Sequence, residues 1–323
     1  MTPPTMAADL APATGPAANL LDPAEARAGS AAVAEIASLV RPKIAIMVLA
    51  TVVAAAWLTA GRPADPLPLV GVLLGTALVA ASSSIANQIL ERRSDRLMRR
   101  TADRPLAAGR MTTQTAWWVA ATLVVSGLTL CTAAAGWQPA AAADATWLLY
   151  VLVYTPLKRI TPLNTAVGAV AGALPVAIGW LAADGPARLA AGDTRAALAV
   201  AALATVLYLW QFPHFMAIAW LYRAQYAAAG ARMLTVVDPS GLRAGGQSLA
   251  AALALLPAGL LLAVPSGSIR MFLAAAVAGS VYLLASVWFA IRRDDAAARS
   301  LLLVSIGSLL GLLSAAIVFG GPV

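Results

Sequence analysis

The chain has one cysteine, Cys131, and one histidine, His214, in 323 residues. A single cysteine excludes an intrachain disulfide and any metal site built on several thiolates. Cys131 lies within an apolar run and reads as a small packing residue. Any role that needs imidazole falls to His214, although a lone histidine in an apolar helix more often hydrogen-bonds a neighbour than ligates a metal. Charge is scarce as well. Asp, Glu, Lys and Arg make up 11% of the chain against 61% hydrophobic residues, and the mean hydropathy is +0.81, which excludes an ordinary soluble domain. Alternation of apolar and polar residues is also missing, which excludes a transmembrane barrel and leaves helices to satisfy the backbone in lipid.

Apolar runs of about twenty residues, enough for a hydrocarbon core about 30 Å thick, fall at about 43 to 61, 67 to 90, 113 to 135, 141 to 157, 163 to 183, 196 to 222, 247 to 264, 269 to 291 and 300 to 320. The expectation is an all-α, multi-pass membrane protein of about nine transmembrane helices. A formal charge of +8 would suggest nucleic acid for a soluble protein, but the cations are sided. One side of a nine-span chain holds 18 of the 22 Lys and Arg residues, and the other holds Arg62, Arg188, Arg195 and Arg270. By the positive-inside rule the N-terminus is cytoplasmic and the C-terminus outside, in a bacterial inner membrane. The basicity thus reflects topology and an inner-face anion site, with membrane lipid around it and no nucleic acid. Residues 1–38, rich in Ala and Pro and carrying Asp9, Asp22, Glu25 and Glu35 against Arg27, read as a disordered tail. They are too acidic for a mitochondrial presequence and hold no apolar segment resembling a signal peptide. Residues 39–323 then form the transmembrane domain.

Polar chemistry concentrates in NQILERRSDRLMRRTADRP, residues 87 to 105. Asn87, Glu91 and Asp95 stand at i, i+4 and i+8, so on a helix they share a face, each roughly 6 Å further along the axis. Such a face offers oxygen ligands to a hard cation such as Mg²⁺, which keeps waters and is commonly completed by substrate phosphates. Arg99, Arg100 and Arg104 follow, and guanidinium binds phosphate bidentately. The competing reading is a solvated helix end whose carboxylates pair with neighbouring arginines, each exposed pair worth under about 1 kcal/mol.

Two long connections, residues 91 to 112 and 223 to 246, lie on the same side four spans apart, as two repeated halves would place them, although no residue-level repeat supports that. YTPLKRITPLN, residues 154 to 164, adds Lys158 and Arg159 on that side, with Pro156 and Pro162 stiffening the turn. WQFPHF, residues 210 to 215, puts Trp210, Gln211 and His214 inside a span, and Pro213 is expected to kink or break the helix there. Tyr222 and Tyr226 sit near its inner end, Asn164 reads as a buried hydrogen-bonding residue, and Trp117, Trp118, Trp147 and Trp288 read as belt or packing residues.

NQILERRSDRLMRRTADRPLAAGR resembles the first polar motif of the UbiA-type intramembrane prenyltransferases, and YTPLKRITPLNTAVGAVAGALPVAIGW, WQFPHFMAIAWLYRAQYAAAG and RMLTVV follow in the order of its haem-modifying branch. The resemblance spans about residues 38 to 320. It implies a UbiA-like helical bundle that uses Mg²⁺ to transfer the farnesyl group of farnesyl diphosphate to the vinyl group of haem B, producing haem O for terminal oxidase biogenesis. Haem A synthase or oxidase assembly proteins would be the protein partners. Carried over by position, Asn87, Glu91 and Asp95 would be the catalytic metal motif. Arg100, Arg104, Lys158, Arg159 and, more weakly, Lys43 would contact the diphosphate, while His214, Tyr222 and Tyr226 would face the haem.

Two departures stand out. Glu91 replaces the family's usual Asp, which lengthens the reach of that carboxylate. Near the end of the sixth span, where the family carries acids, the chain reads Tyr222, Arg223, Ala224, Gln225, Tyr226. Gln225 and Asp238 are the weak candidates for completing a second metal position. A single Mg²⁺, slow turnover or lost activity are the alternatives that follow. Prenylation of another acceptor, such as a quinone precursor, and a non-catalytic haem-binding or assembly role also remain open.

Overall fold

A computed structural model describes residue 35, residues 37–61 and residues 65–320. Of the expected tail, residues 1–34 and 36 lie outside the described residues, while residues 37–40 are helical. Among the described residues there is no strand, and nine helices are long and apolar enough to cross a membrane. They are α1 (Pro42–Ala60), α2 (Leu67–Asp95), α3 (Thr113–Ala135), α4 (Trp137–Leu157), α5 (Asn164–Ala182), α6 (Thr194–Leu221), α7 (Leu242–Leu261), α8 (Ile269–Arg292) and α9 (Asp295–Phe319). The protein is a multi-pass membrane protein.

Helix ends depart from the apolar runs in a consistent direction. α2 continues to Asp95, α4 begins at Trp137, α7 at Leu242 and α9 at Asp295. Hydropathy marks where lipid contact stops, whereas backbone hydrogen bonding continues until a cap closes it. Polar side chains supply several N-terminal caps: Thr112, Asp193, Ser268 and Asp294 accept from the backbone N–H groups of Thr115, Ala196, Met271 and Ala297. Gly136, at φ 84°, makes the one-residue corner between α3 and α4 that a side chain would strain.

α2 packs along α3, α6 contacts α1, α7 and α9, and α7, α8 and α9 pack in sequence. Lipid removes most of the hydrophobic drive between helices, so close packing must supply it. Gly71 and Gly75 form a small-residue stripe on α2, and a Cβ on Gly75 would sit 2.5 Å from Cys131 Sγ and 2.6 Å from the Gly127 carbonyl oxygen of α3. Cys131 is fully buried there, as its reading as a packing residue requires. Gly75→Val is therefore expected to cost about 1–3 kcal/mol through overpacking, seen as a lower unfolding midpoint in detergent. An unchanged midpoint would disprove the tight contact.

Pro213 does not break the helix, and α6 runs unbroken from Thr194 to Leu221. Neighbouring helices brace the turn around the proline. Tyr282 Oη donates to the Trp210 carbonyl at 2.6 Å, and Trp210 Nε1 donates to the Ser305 carbonyl at 2.7 Å. Of the tryptophans, Trp147 packs inward and donates to Ser82 Oγ, while Trp117, Trp118 and Trp288 are exposed on the surface of the bundle.

Candidate active site

The charged residues meet at the end of the bundle where α2, α4 and α6 finish and α1, α3, α5 and α7 begin. The extra turn of α2 beyond its apolar run carries Glu91 and Asp95 out of the hydrocarbon segment while keeping Asn87 on the same face. Asn87 is fully buried. Its Nδ2 donates to Thr155 Oγ1 at 3.0 Å, and its Oδ1 is buried with no partner. One turn on, Glu91 Oε1 accepts from Lys158 Nζ at 2.7 Å. Another turn on, Asp95 Oδ2 accepts from Arg104 Nη1 at 2.7 Å, while Asp95 Oδ1 is buried and unpartnered.

Each cation is delivered by a shaped loop. After α2 the chain turns back on itself, with Thr101 Oγ1 donating to the Asp95 carbonyl and Arg96 Nε to the Ala107 carbonyl, so Arg104 returns to the carboxylate nine residues before it. Lys158 sits just past α4, with its ammonium 4.5 Å from the Tyr154 ring centroid. The Arg232 N–H donates to the Lys158 carbonyl at 2.7 Å, and Asn164 Nδ2 donates to the carbonyls of Thr161 and Arg232. Asn164, fully buried, thereby ties the α4–α5 turn to the α6–α7 connection, in keeping with its expected hydrogen-bonding role.

The electrostatics favour an anion. Burial and then the like charge of Arg41 pull the Arg104 guanidinium below its ordinary value, against the attraction of Asp95. For Lys158 burial acts downward, but the Glu91 carboxylate, its nearest opposite charge, leads the interactions that outweigh it and raise the ammonium above the ordinary lysine range. Arg41, one of the 18 cations on the inner side, is the half-buried cation before α1, held in the left-handed region at φ 49°. Such a conformation is costly for a residue with a side chain and clusters at functional sites. Ser84 Oγ and Gln88 Nε2, both on α2, fix this approach by donating to the Leu39 carbonyl. Lys43, two residues on, is exposed.

The second predicted cluster is only partly assembled. The Arg100 N–H donates to Gln225 Oε1 at 3.2 Å, and its guanidinium lies 5.0 Å from the Tyr222 ring centroid, so the two long connections do face each other. Arg159 Nη2 donates to Ser94 Oγ from an exposed position. Asp238, the other weak candidate, is engaged in a local turn. Its Oδ1 takes Ser240 N–H and Oγ, and its Oδ2 takes the Arg243 N–H, which caps the start of α7. These hydrogen bonds hold its carboxyl below the usual range. Among the described residues no group of three His, Cys, Asp or Glu side chains converges as a metal site. A cation would instead draw on Glu91 together with either the neutral oxygen of Asn87 or the carboxylate of Asp95, and on phosphate.

His214 stands apart from this cluster, about two turns up α6. Its ring stacks on Trp210 with centroids 4.6 Å apart, and its Nδ1 lies 2.7 Å from Ser305 Oγ. The Ser305 hydroxyl already donates to the Leu302 carbonyl at 2.6 Å, so Nδ1 carries the hydrogen and Nε2 is left as an acceptor.

Among the described residues nine membrane-length helices bring an acid-and-amide helix face against two mostly buried cations, an arrangement of the kind that suits a membrane-embedded enzyme acting on an anionic substrate. The chain belongs to the UbiA prenyltransferase family, whose model matches residues 48–316. It is 44% identical over 251 residues to the protoheme IX farnesyltransferase of Rhodopirellula baltica, covering 77% of this chain and 84% of that one. It is 36% identical over 297 residues to the protoheme IX farnesyltransferase of Opitutus terrae, covering 90% and 96%. A digeranylgeranylglyceryl phosphate synthase shares the fold with a TM-score of 0.72 at 15% identity, over 89% of this chain and 98% of that one. A UbiA homologue from Archaeoglobus fulgidus, solved with GPP and Mg²⁺, shares it with a TM-score of 0.60 at 17% identity, over 88% and 99%.

Proposed function

We propose that this protein transfers the farnesyl group of farnesyl diphosphate to the vinyl group of haem B, producing haem O for terminal oxidase biogenesis, from a bacterial inner membrane with its N-terminus cytoplasmic and C-terminus outside. The relatives named protoheme IX farnesyltransferase, at 36% and 44% identity over most of their length, support the substrates. The observation that carries the reading in this chain is the pairing of each α2 carboxylate with a cation from a different loop, beside two buried oxygens left without partners. Those oxygens are suited to a hard cation, and Mg²⁺ bound there would neutralise the diphosphate. Because Asn87 and Asp95 are separated by about 12 Å of helix axis, and Mg²⁺ takes ligands at about 2.1 Å, they cannot share one ion. Glu91 is the common member.

Lys158 and Arg104, with Arg41, Arg100 and Arg159 around them, would hold the diphosphate as the allylic C–O bond breaks. The vinyl π electrons of the haem would then form the new C–C bond to the farnesyl carbocation, leaving a cation on the adjoining vinyl carbon that water captures with loss of a proton. Tyr222, tied to Arg100, and Tyr226, whose N–H donates to the Tyr222 carbonyl, group with the diphosphate end, and His214 keeps the haem-facing assignment. Haem A synthase or oxidase assembly proteins would receive the product.

Membranes containing the protein, supplied with haem B, farnesyl diphosphate and Mg²⁺, are expected to form farnesylated haem by liquid chromatography, and chelation should stop it. Haem that copurifies with folded protein in the absence of turnover would instead favour the non-catalytic role left open by the missing acids at Ala224 and Gln225.

A further inference from the structure

Asn87 has two chemically different ends to its side chain, and only one can face a cation. An isolated helix would leave that choice open. Here it is set by a neighbouring helix. α4 passes through a π turn at Leu149–Tyr154, a form that recurs at functional sites. At its end both the N–H and the hydroxyl of Thr155 donate to the Tyr150 carbonyl, the hydroxyl at 2.8 Å. A threonine in a regular helix returns its hydroxyl to the carbonyl four residues back; the wider turn shifts this bond to the fifth and turns the oxygen toward α2. With its only proton committed, Thr155 Oγ1 can only accept from Asn87. The amide nitrogen of Asn87 is therefore drawn to Thr155 at 3.0 Å, and Oδ1 points away, buried and unpartnered.

We propose that Thr155 is a positioning residue for the metal site: by accepting from Asn87 Nδ2 it holds Asn87 Oδ1 in the orientation that ligates a divalent cation beside Glu91. This rests on Asn87 being a ligand. The reason for the arrangement is electrostatic. An amide free to rotate would turn its nitrogen toward Glu91, donating to the carboxylate and facing the cation with the wrong end.

The test is retention of radiolabelled inorganic pyrophosphate by the purified full-length protein as Mg²⁺ is titrated, with wild type, Asn87→Ala, Thr155→Val, Thr155→Ala and Thr155→Ser compared. Thr155→Val and Thr155→Ala are expected to raise the half-saturating Mg²⁺ concentration by about 10–100-fold, the range for an outer-shell partner of a metal ligand, while Thr155→Ser stays close to wild type. Whichever oxygen-free variant folds serves. Asn87→Asp removes the need for orientation, since both its ends are oxygens, so adding Thr155→Val to Asn87→Asp should change the Mg²⁺ requirement little. A merely structural role would not show that rescue. Wild-type Mg²⁺ dependence in the Val or Ala variant, or a Ser variant as impaired as Val, overturns the proposal while leaving Asn87 a ligand. Retention that ignores Mg²⁺, or that Asn87→Ala leaves unchanged, overturns the ligand reading itself.

Discussion

Glu91→Gln and Asp95→Asn are each expected to lower kcat/KM for farnesyl transfer by about 10²–10³-fold, the scale for removing one preorganised electrostatic contact from a reacting site. Both substitutions keep the side chain's size and remove its charge. Glu91 is expected to be the more sensitive. It is the one member within reach of both neighbours on the helix face, and no carboxylate stands at Ala224 or Gln225 to share the load. Steady-state rates at saturating Mg²⁺ measure this, and a Glu91→Gln enzyme within a few-fold of wild type would remove Glu91 from the metal site.

Lys158→Met has the second largest expected effect, and it falls on stability as well as rate. The Lys158 to Glu91 pair is short, at 2.7 Å, and each side chain is only 17% exposed. Breaking a buried pair from one side leaves the other charge uncompensated, which costs about 3–5 kcal/mol when burial is complete; the residual exposure brings this to about 2–3 kcal/mol. Glu91→Gln/Lys158→Met leaves no lone charge. It should recover stability to within about 1 kcal/mol of wild type and remain inactive. Unfolding midpoints and product formation on the same preparations separate the two effects, and a double variant as unstable as Lys158→Met would show that the pair is not what holds that corner. The lysine is raised above its ordinary value of 10.5 by the charged Glu91, so while Glu91 is ionised its contribution is whole at pH values below that and is lost as pH rises through the still higher folded-state value.

Much of this site is legible along the chain because it is written at helical spacing. Asn87, Glu91 and Asp95 repeat every four residues, and the helix that carries them needs no tertiary partner to align them. Lys158 and Arg104 are also visible as cations beside prolines in polar loops, but their partners are not. Lys158 meets a carboxylate 67 residues away, and Arg104 meets one only nine residues back. Asp238 is a weak candidate by position, and its oxygens accept from the turn that starts α7, a local demand that no spacing to Tyr226 reveals. Arg41 and Thr155 were hidden for opposite reasons. One looked like a topology anchor among many arginines, and the other like an ordinary hydroxyl in an apolar run.

By itself the sequence determined the membrane class, the nine spans and the helix face on which the acids and amide stand, because hydropathy and a 1.5 Å rise per residue are local properties. Only the tertiary structure decided which cation sits on which carboxylate, which buried oxygens are left without a partner, and that the hydroxyl of Thr155 sets the amide of Asn87. Those outcomes depend on where separate helices bring donors and acceptors together, and a single proton on one hydroxyl can be spent only once.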